Sequence, residues 1–277
     1  EAGVQDPTGV VTFTDGAAVL DVGWLVNGAA TFETARLAVG THLISIQYSG
    51  DGNYLSGNNA LAGGQTVNEA NVLVSLASTA SPMVYGDTAV FTVTVGLSGV
   101  GTRLPSGCRL SGSVTLKDGA ATLETLPLDD YCQAVFSTAA LAPGQHTLQA
   151  EYSGDASYGA GSSNLLSMTS QVPTLTVLAA SQNPAQVGAT LTLTATVTGT
   201  SEAGGLPDGL VVFKDDGVVI GSAPVINGVA VLQVSTLKQG AHNLTAEYTG
   251  SSKHSASAST MLLVQLFIYI FLPFLRR

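Results

Sequence analysis

Histidine and carboxylate side chains are the groups from which acid–base and metal chemistry is built near neutral pH. The chain has four His, and three of them, His42, His146 and His242, head the same stretch of sequence. Gly40–Tyr54 reads GTHLISIQYSGDGNY, Gly144–Tyr158 reads GQHTLQAEYSGDASY, and Gly240–His254 reads GAHNLTAEYTGSSKH. The first two copies place an acid, Asp51 or Asp155, after Ser-Gly and close the loop with Tyr54 or Tyr158.

Each residue has a functional and a structural reading. The histidines lie in phase with apolar residues of a strand and recur about once per domain length. No two of them meet at one metal unless distant units fold back on each other. A structural His, bonded to a neighbouring backbone group, is the expectation. Asp51 and Asp155, with Asn53, Tyr54 and Tyr158, form a candidate recognition or calcium-binding loop. Calcium takes about six to eight oxygens, more than one carboxylate and a few small polar side chains offer. A turn-forming Asp bonded to its own backbone is the simpler reading. The pairs Asp129–Asp130 and Asp215–Asp216 read as solvated loop charge. There is no nucleophile elbow, phosphate-binding loop or metalloprotease motif, so no catalytic residue and no cofactor or metal ligand is expected.

The elements that carry these residues are strands. Charged residues make up 10% of the 277 and hydrophobic ones 45%, with 32 Gly. Thr, Val and Gly-rich turns fill the difference, an all-β composition. In Val90–Val95 the residues Phe91, Val93 and Val95 alternate with Val90, Thr92 and Thr94, the period of a half-buried strand. His146, Leu148, Ala150 and Tyr152 share a face in the same way. The net charge of −10 leaves no basic cluster for a phosphate backbone, so nucleic acid is not an expected partner.

Further blocks recur in the same order. GVVTFTDG (Gly9–Gly16) matches GSVTLKDG (Gly112–Gly119) and GLVVFKDDG (Gly209–Gly217), and NGAATFETARL (Asn27–Leu37) matches YCQAVFSTAAL and NGVAVLQVSTL. The period is about 100 residues, one immunoglobulin-like sandwich rather than a solenoid unit. SPMVYGDTAVFTVTV (Ser81–Val95) matches NPAQVGATLTLTATV (Asn183–Val197), and the first copy has no equivalent before Val10. It lacks two front strands and is expected to be the least stable unit. With a start at Glu1 that is not Met, this gives the expectation that the sequence is a piece of a longer protein. The expected units are 1–69, 70–171 and 172–265, followed by an apolar tail, 266–277. Seven strands are expected per full unit. Short connections at Gln65–Asn71 and Ser170–Pro173 predict an end-to-end rod.

Cys108 and Cys132 belong to the second copy alone, Cys132 in the slot of Gly28 and Gly228. The strands after them run parallel from one end of a sandwich, so a disulfide is geometrically reasonable. It would close a loop of about 25 residues, contribute about 3 kcal/mol and suit an extracytoplasmic setting. Two free thiols are the alternative. The tail Phe267–Arg277 keeps only about ten apolar residues once the last strand is formed, short of the roughly 20 a spanning helix needs. An anchor, a sorting tail and the end of a fragmentary sequence stay open, and a membrane is a partner only if it is an anchor.

These blocks together, PTGVVTFTDG, NGAATF and GTHLISIQYSGDGNY followed by a Ser/Asn-rich strand, resemble the bacterial Ig-like domain of group 3 from about Pro7 to about Gln265. The resemblance implies tandem Ig-like β-sandwiches, an extracellular or cell-surface location and a stalk or adhesin segment whose partners are neighbouring repeats. It supplies no catalytic residues. The third copy departs from the pattern at Ser251, Ser252 and His254. The alternative is a binding module that recognises carbohydrate or a host protein through the loop after the sixth strand. Trp24, the single Trp, lies in the incomplete copy, which argues against an aromatic sugar platform in every unit.

Overall fold

The computed structural model describes residues 5–79, 81–98 and 107–268. It is all-β apart from one short 3-10 turn, Glu202–Gly204. The first repeat has β1 (Val10–Asp15), β2 (Ala18–Trp24), β3 (Gly40–His42), β4 (Ile44–Tyr48), β5 (Gly57–Ala60) and β6 (Gln65–Val67). The second has β7 (Val72–Ser78), β8 (Met83–Val84), β9 (Ala89–Leu97), β10 (Ser113–Asp118), β11 (Ala121–Pro127), β12 (Gln133–Thr138), β13 (Gly144–Tyr152), β14 (Gly161–Ser162) and β15 (Leu166–Gln171). The third repeats that order as β16 (Thr174–Ala180), β17 (Ala185–Gln186), β18 (Leu191–Gly199), β19 (Gly209–Asp215), β20 (Val218–Val225), β21 (Val229–Val234), β22 (Gly240–Tyr248), β23 (Ser257–Ala258) and β24 (Leu262–Phe267).

Each complete repeat is two sheets face to face. In the second, β12-β9-β7 packs on β11-β10-β13-β15-β8; in the third, β16-β18-β21 packs on β20-β19-β22-β24-β17. The alternation in the sequence dictates what lies between them. Phe91, Val93 and Val95 point inward from β9 and meet Leu116, Leu148, Ala150 and Tyr152, all buried. Leu193, Ala195 and Val197 meet Phe213, Leu244, Ala246 and Tyr248 in the third. The two-residue strands β8 and β17 were not expected. They pair parallel to β15 and β24, at Ser170↔Met83 and Ala185↔Leu266, and are too short to leave a periodic signal.

One boundary differs from the sequence reading. Leu266 and Phe267, assigned to the tail, end β24; Leu266 is buried against the core and pairs with Gly240. The remainder of the tail, 269–277, lies outside the described residues. In the first repeat, residues 30–39 form no strand, although they match β12 and β21 in sequence. Those strands are held by β9 and β18, and the first repeat has no such neighbour among the described residues. Both clustered cores belong to the second and third repeats. Among the described residues no helix is long and apolar enough to cross a membrane.

A β-bulge recurs in all three repeats. It falls at Phe13/Thr14, Leu116/Lys117 and Phe213/Lys214, one extra residue on the partner strand. Bulges re-aim side chains, and here they directly precede the last residue or two of β1, β10 and β19.

Candidate functional site

Asp15, Asp118 and Asp215, the last residues of β1, β10 and β19, meet the histidines. Nδ1 of His42, His146 and His242 lies 2.6 Å from Oδ2 of Asp15, Asp118 and Asp215, respectively. Nε2 of the same rings faces a backbone carbonyl: Ala38 at 2.8 Å, Ala142 at 2.7 Å and Lys238 at 2.9 Å. A carbonyl and a carboxylate only accept, so this pair of partners favours a ring that donates from both nitrogens. The Ala38 carbonyl, then Asp15, raise the His42 pKa. For His242 burial pulls the pKa down, but the Lys238 carbonyl and Asp215 outweigh it, and the net direction is up.

In the first two repeats the second oxygen of the Asp anchors the strand start: Asp15 Oδ1 accepts from Leu43 N–H at 3.0 Å and Asp118 Oδ1 from Thr147 N–H at 3.1 Å, whereas Asp215 Oδ1 is buried without a hydrogen-bond partner among the described residues. The histidine therefore clamps two chain segments; His146 also lines a shallow cavity of about 270 Å³ with Ser81, Gln145, Thr147, Ser167, Met168 and Thr169. Asp215 is thus not solvated loop charge, as the sequence suggested; it is the partner of His242. Asp216 accepts from Asn243 Nδ2 at 2.7 Å. Asp129 is likewise committed, its Oδ1 accepting from Tyr131 N–H and Gln133 N–H.

The Ser-Gly-Asp loop follows β4 and β13. Asp51 Oδ1 accepts from Asn53 N–H at 2.7 Å and Tyr54 N–H at 2.8 Å, which is a turn held by its own backbone. Its Oδ2 accepts from Thr8 N–H at 2.6 Å and Thr8 Oγ1 at 3.0 Å. Asp155 does the same with Ser157, Tyr158 and both donors of Ser111. The Thr8 and Asn53 N–H groups hold the Asp51 carboxyl well below the usual carboxylate range. Burial pushes Asp155 upward, but the Ser111, Ser157 and Tyr158 N–H groups outweigh it and the pKa is lowered. Both oxygens of each acid are thereby occupied. Asn53 and Ser157 leave their side chains exposed, while Tyr54 and Tyr158 are half-buried. Tyr54 Oη donates to the Gln5 carbonyl at 2.8 Å.

The loop lies against the residue before β1 and β10. Tyr48, Tyr152 and Tyr248 each donate Oη–H to the carbonyl of Thr8, Ser111 and Asp208. Burial, with Asp155 nearby, pushes the Tyr152 pKa up to about 12. The glycine that follows has φ of 105°, 91° and 109° at Gly9, Gly112 and Gly209, and a Cβ on Gly112 would stand 2.6 Å from the Gly154 carbonyl. Only Gly permits this approach. In the third repeat the residue types are exchanged: the acid is Asp208 and the hydroxyl Ser251, where the others have Thr8 or Ser111 and Asp51 or Asp155.

In each complete repeat the loop also grips the chain that enters the repeat. Ala70 N–H donates to the Ser157 carbonyl at 2.9 Å and Gly159 N–H to the Ala70 carbonyl at 3.0 Å. Val172 bridges His254 in parallel, with Val172 N–H to the Lys253 carbonyl and Ser255 N–H to the Val172 carbonyl. His254 takes the place of Tyr158, is buried at 1% exposure, and lies under Gly204. Gln171, the last residue of β15, donates Nε2–H to the Ser251 carbonyl of the next repeat at 2.7 Å.

Cys108 and Cys132 are joined as a disulfide, Cα atoms 5.0 Å apart. It ties the chain before β10 to the turn before β12. Cys132 has φ 59°, in the turn where Asn27-Gly28 and Asn227-Gly228 are also left-handed. Among the described residues, no three His, Cys, Asp or Glu converge on a metal-sized site.

The solved structures similar to this chain include the fibronectin(III)-like modules of Clostridium thermocellum CbhA, 19% identical over 71% of this chain and 94% of that one, TM-score 0.35. Murine CEACAM1b is 11% identical over 71% and 100%, TM-score 0.44. The D0-D1 domain of intimin is 13% identical over 70% and 99%, TM-score 0.29. No curated protein matches the sequence. A family model, the bacterial Ig-like domain of group 3, matches residues 1–68, 76–171 and 178–266. The chain belongs to the group 3 bacterial Ig-like domain family.

Proposed function

We propose that the chain is a non-catalytic spacer: a series of sandwiches that holds another part of a bacterial surface or secreted protein at a distance. Domains of this family are typically non-catalytic and typically extracellular. The observation that carries the reading is the passage from β15 to β16. Only Val172 and Pro173 separate the two strands, and both sides are bonded, through Gln171 Nε2 to Ser251 and through Val172 to Lys253 and Ser255. A junction with so little slack passes tension from one sandwich to the next. The repeated His, Asp and Tyr side chains support the same reading, since both ring nitrogens of each clamp His and the hydroxyl of each Tyr are engaged within their own sandwich.

Small-angle scattering of the whole chain tests this. An elongated particle is expected, and inserting a flexible Gly/Ser segment after Gln171 broadens its distance distribution. A compact particle unaffected by the insertion contradicts the spacer.

A further inference from the structure

His254 is the one histidine of the four that belongs to no clamp. Its Nδ1 lies 3.5 Å from Ser251 Oγ, a weak contact, and its Nε2 is buried with no hydrogen-bond partner among the described residues. The ring is wedged between Val172, on the chain entering the third repeat, and two glycines. A Cβ on Gly204 would stand 2.7 Å from Nε2 and 3.2 Å from Val172 Cγ2; one on Gly199 would stand 3.6 Å from His254 Cδ2 and 3.4 Å from Val172 Cγ1. The residues on either side of His254 carry the joint, Lys253 by accepting from Val172 N–H and Ser255 by donating to the Val172 carbonyl.

A neutral imidazole leaves one nitrogen bare, whereas an imidazolium carries N–H on both. A proton on the enclosed ring would set a donor and a charge against Gly204 with nothing to receive them, a costly arrangement. The charged groups on the segments around it are Glu202 in the 3-10 turn, Asp208 before β19 and Lys253; all three are exposed and none bonds the ring. Tyr248 gives its hydroxyl to the Asp208 carbonyl, and residues 171–180, 197–201 and 255–259 hold no titratable side chain. We infer that His254 makes the joint between the second and third repeats proton-sensitive: closed over a neutral ring, and opened by a proton that the ring accepts once it leaves Gly204. The first joint has Tyr158 in that place and no such response. The clamp histidines act in the opposite sense, because the raised pKa of His42 and His242 strengthens their contacts as pH falls. The inference goes beyond the spacer reading and stands without it.

The test is amide exchange of the full chain, resolved by residue and expressed as protection factors at about pH 7.5 and about pH 5, either side of an ordinary histidine's titration. Val172 and Ser255 donate across the second joint, and Ala70 and Gly159 across the first. Val172 and Ser255 are expected to lose protection about tenfold or more in acid, the equivalent of one pH unit of linkage, while Ala70 and Gly159 stay within about twofold. In His254→Gln and His254→Phe the acid-dependent loss is expected to vanish. The readout is the ratio between the two pH values, so a variant whose joint is weaker throughout still decides the question. Unchanged protection of Val172 and Ser255 in acid, an equal loss at Ala70 and Gly159, or the same loss in His254→Gln overturns the proposal.

Discussion

His146 and Asp118 sit 2.6 Å apart across the β10–β13 ladder, and the same pair, 27 or 28 residues apart in sequence, fastens His42 to Asp15 and His242 to Asp215. The acid ends one strand, the histidine is the third residue of another, and the second ring nitrogen reaches a carbonyl four residues upstream. The three clamps are fold-holding parts repeated because each sandwich needs one.

His146→Ala leaves the Asp118 carboxylate and the Ala142 carbonyl without their donor. Loss of about 1–3 kcal/mol from the second repeat is expected, read as a lowered denaturation midpoint of that unit with the third unchanged.

The clamps also carry a pH dependence of definite sign. The folded-state pKa of His42 and of His242 is raised above 6.5. Their contribution is complete below about pH 6.5 and lost as pH rises through the folded value. Thermal unfolding of the chain and of His242→Gln should differ clearly near pH 5.5 and converge near pH 9, to about the precision of such measurements. A gap that widens toward alkaline pH contradicts the clamp.

Asp155 behaves in the opposite sense. Its depressed pKa gives a contribution present above 3.8 and lost as pH falls through the folded value. Asp155→Ser is expected to destabilise the second repeat by about 1–3 kcal/mol at neutral pH. Adding Ser111→Asp, which recreates the Asp208/Ser251 arrangement, should recover part of it in a double-mutant cycle.

Much of this was legible in the sequence. Alternation in Phe91–Val95 and His146–Tyr152 located the core strands, and the recurring blocks gave three units. The partner of the histidines was missed, although its signal was present. Asp15, Asp118 and Asp215 fall near the end of a repeated block, but an Asp just before a Gly turn reads as turn punctuation, and its pairing with a His 27 or 28 residues on is a tertiary contact that no local side-chain pattern records. Residues 30–39 match β12 and β21 in sequence yet form no strand; those strands are held by β9 and β18, and among the described residues the first repeat has no such neighbour, a tertiary condition invisible to local pattern.

Reducing the Cys108–Cys132 bond reopens a loop of 24 residues' separation and should cost the second repeat about 3 kcal/mol. Denaturant unfolding with and without reductant checks this, with the third repeat as internal control. Thiol titration of the unfolded, unreduced chain should find no reactive thiol.

The central claim, that the sandwiches are mechanical units in series, is tested most directly by stretching single molecules of the full chain. Two separate unfolding events are expected for the complete repeats, each releasing about 100 residues at about 3.5 Å per residue. The second repeat should release less until reductant frees the chain between Cys108 and Cys132, while the third is unchanged. One rupture for the whole chain, or a second-repeat length indifferent to reductant, contradicts the account.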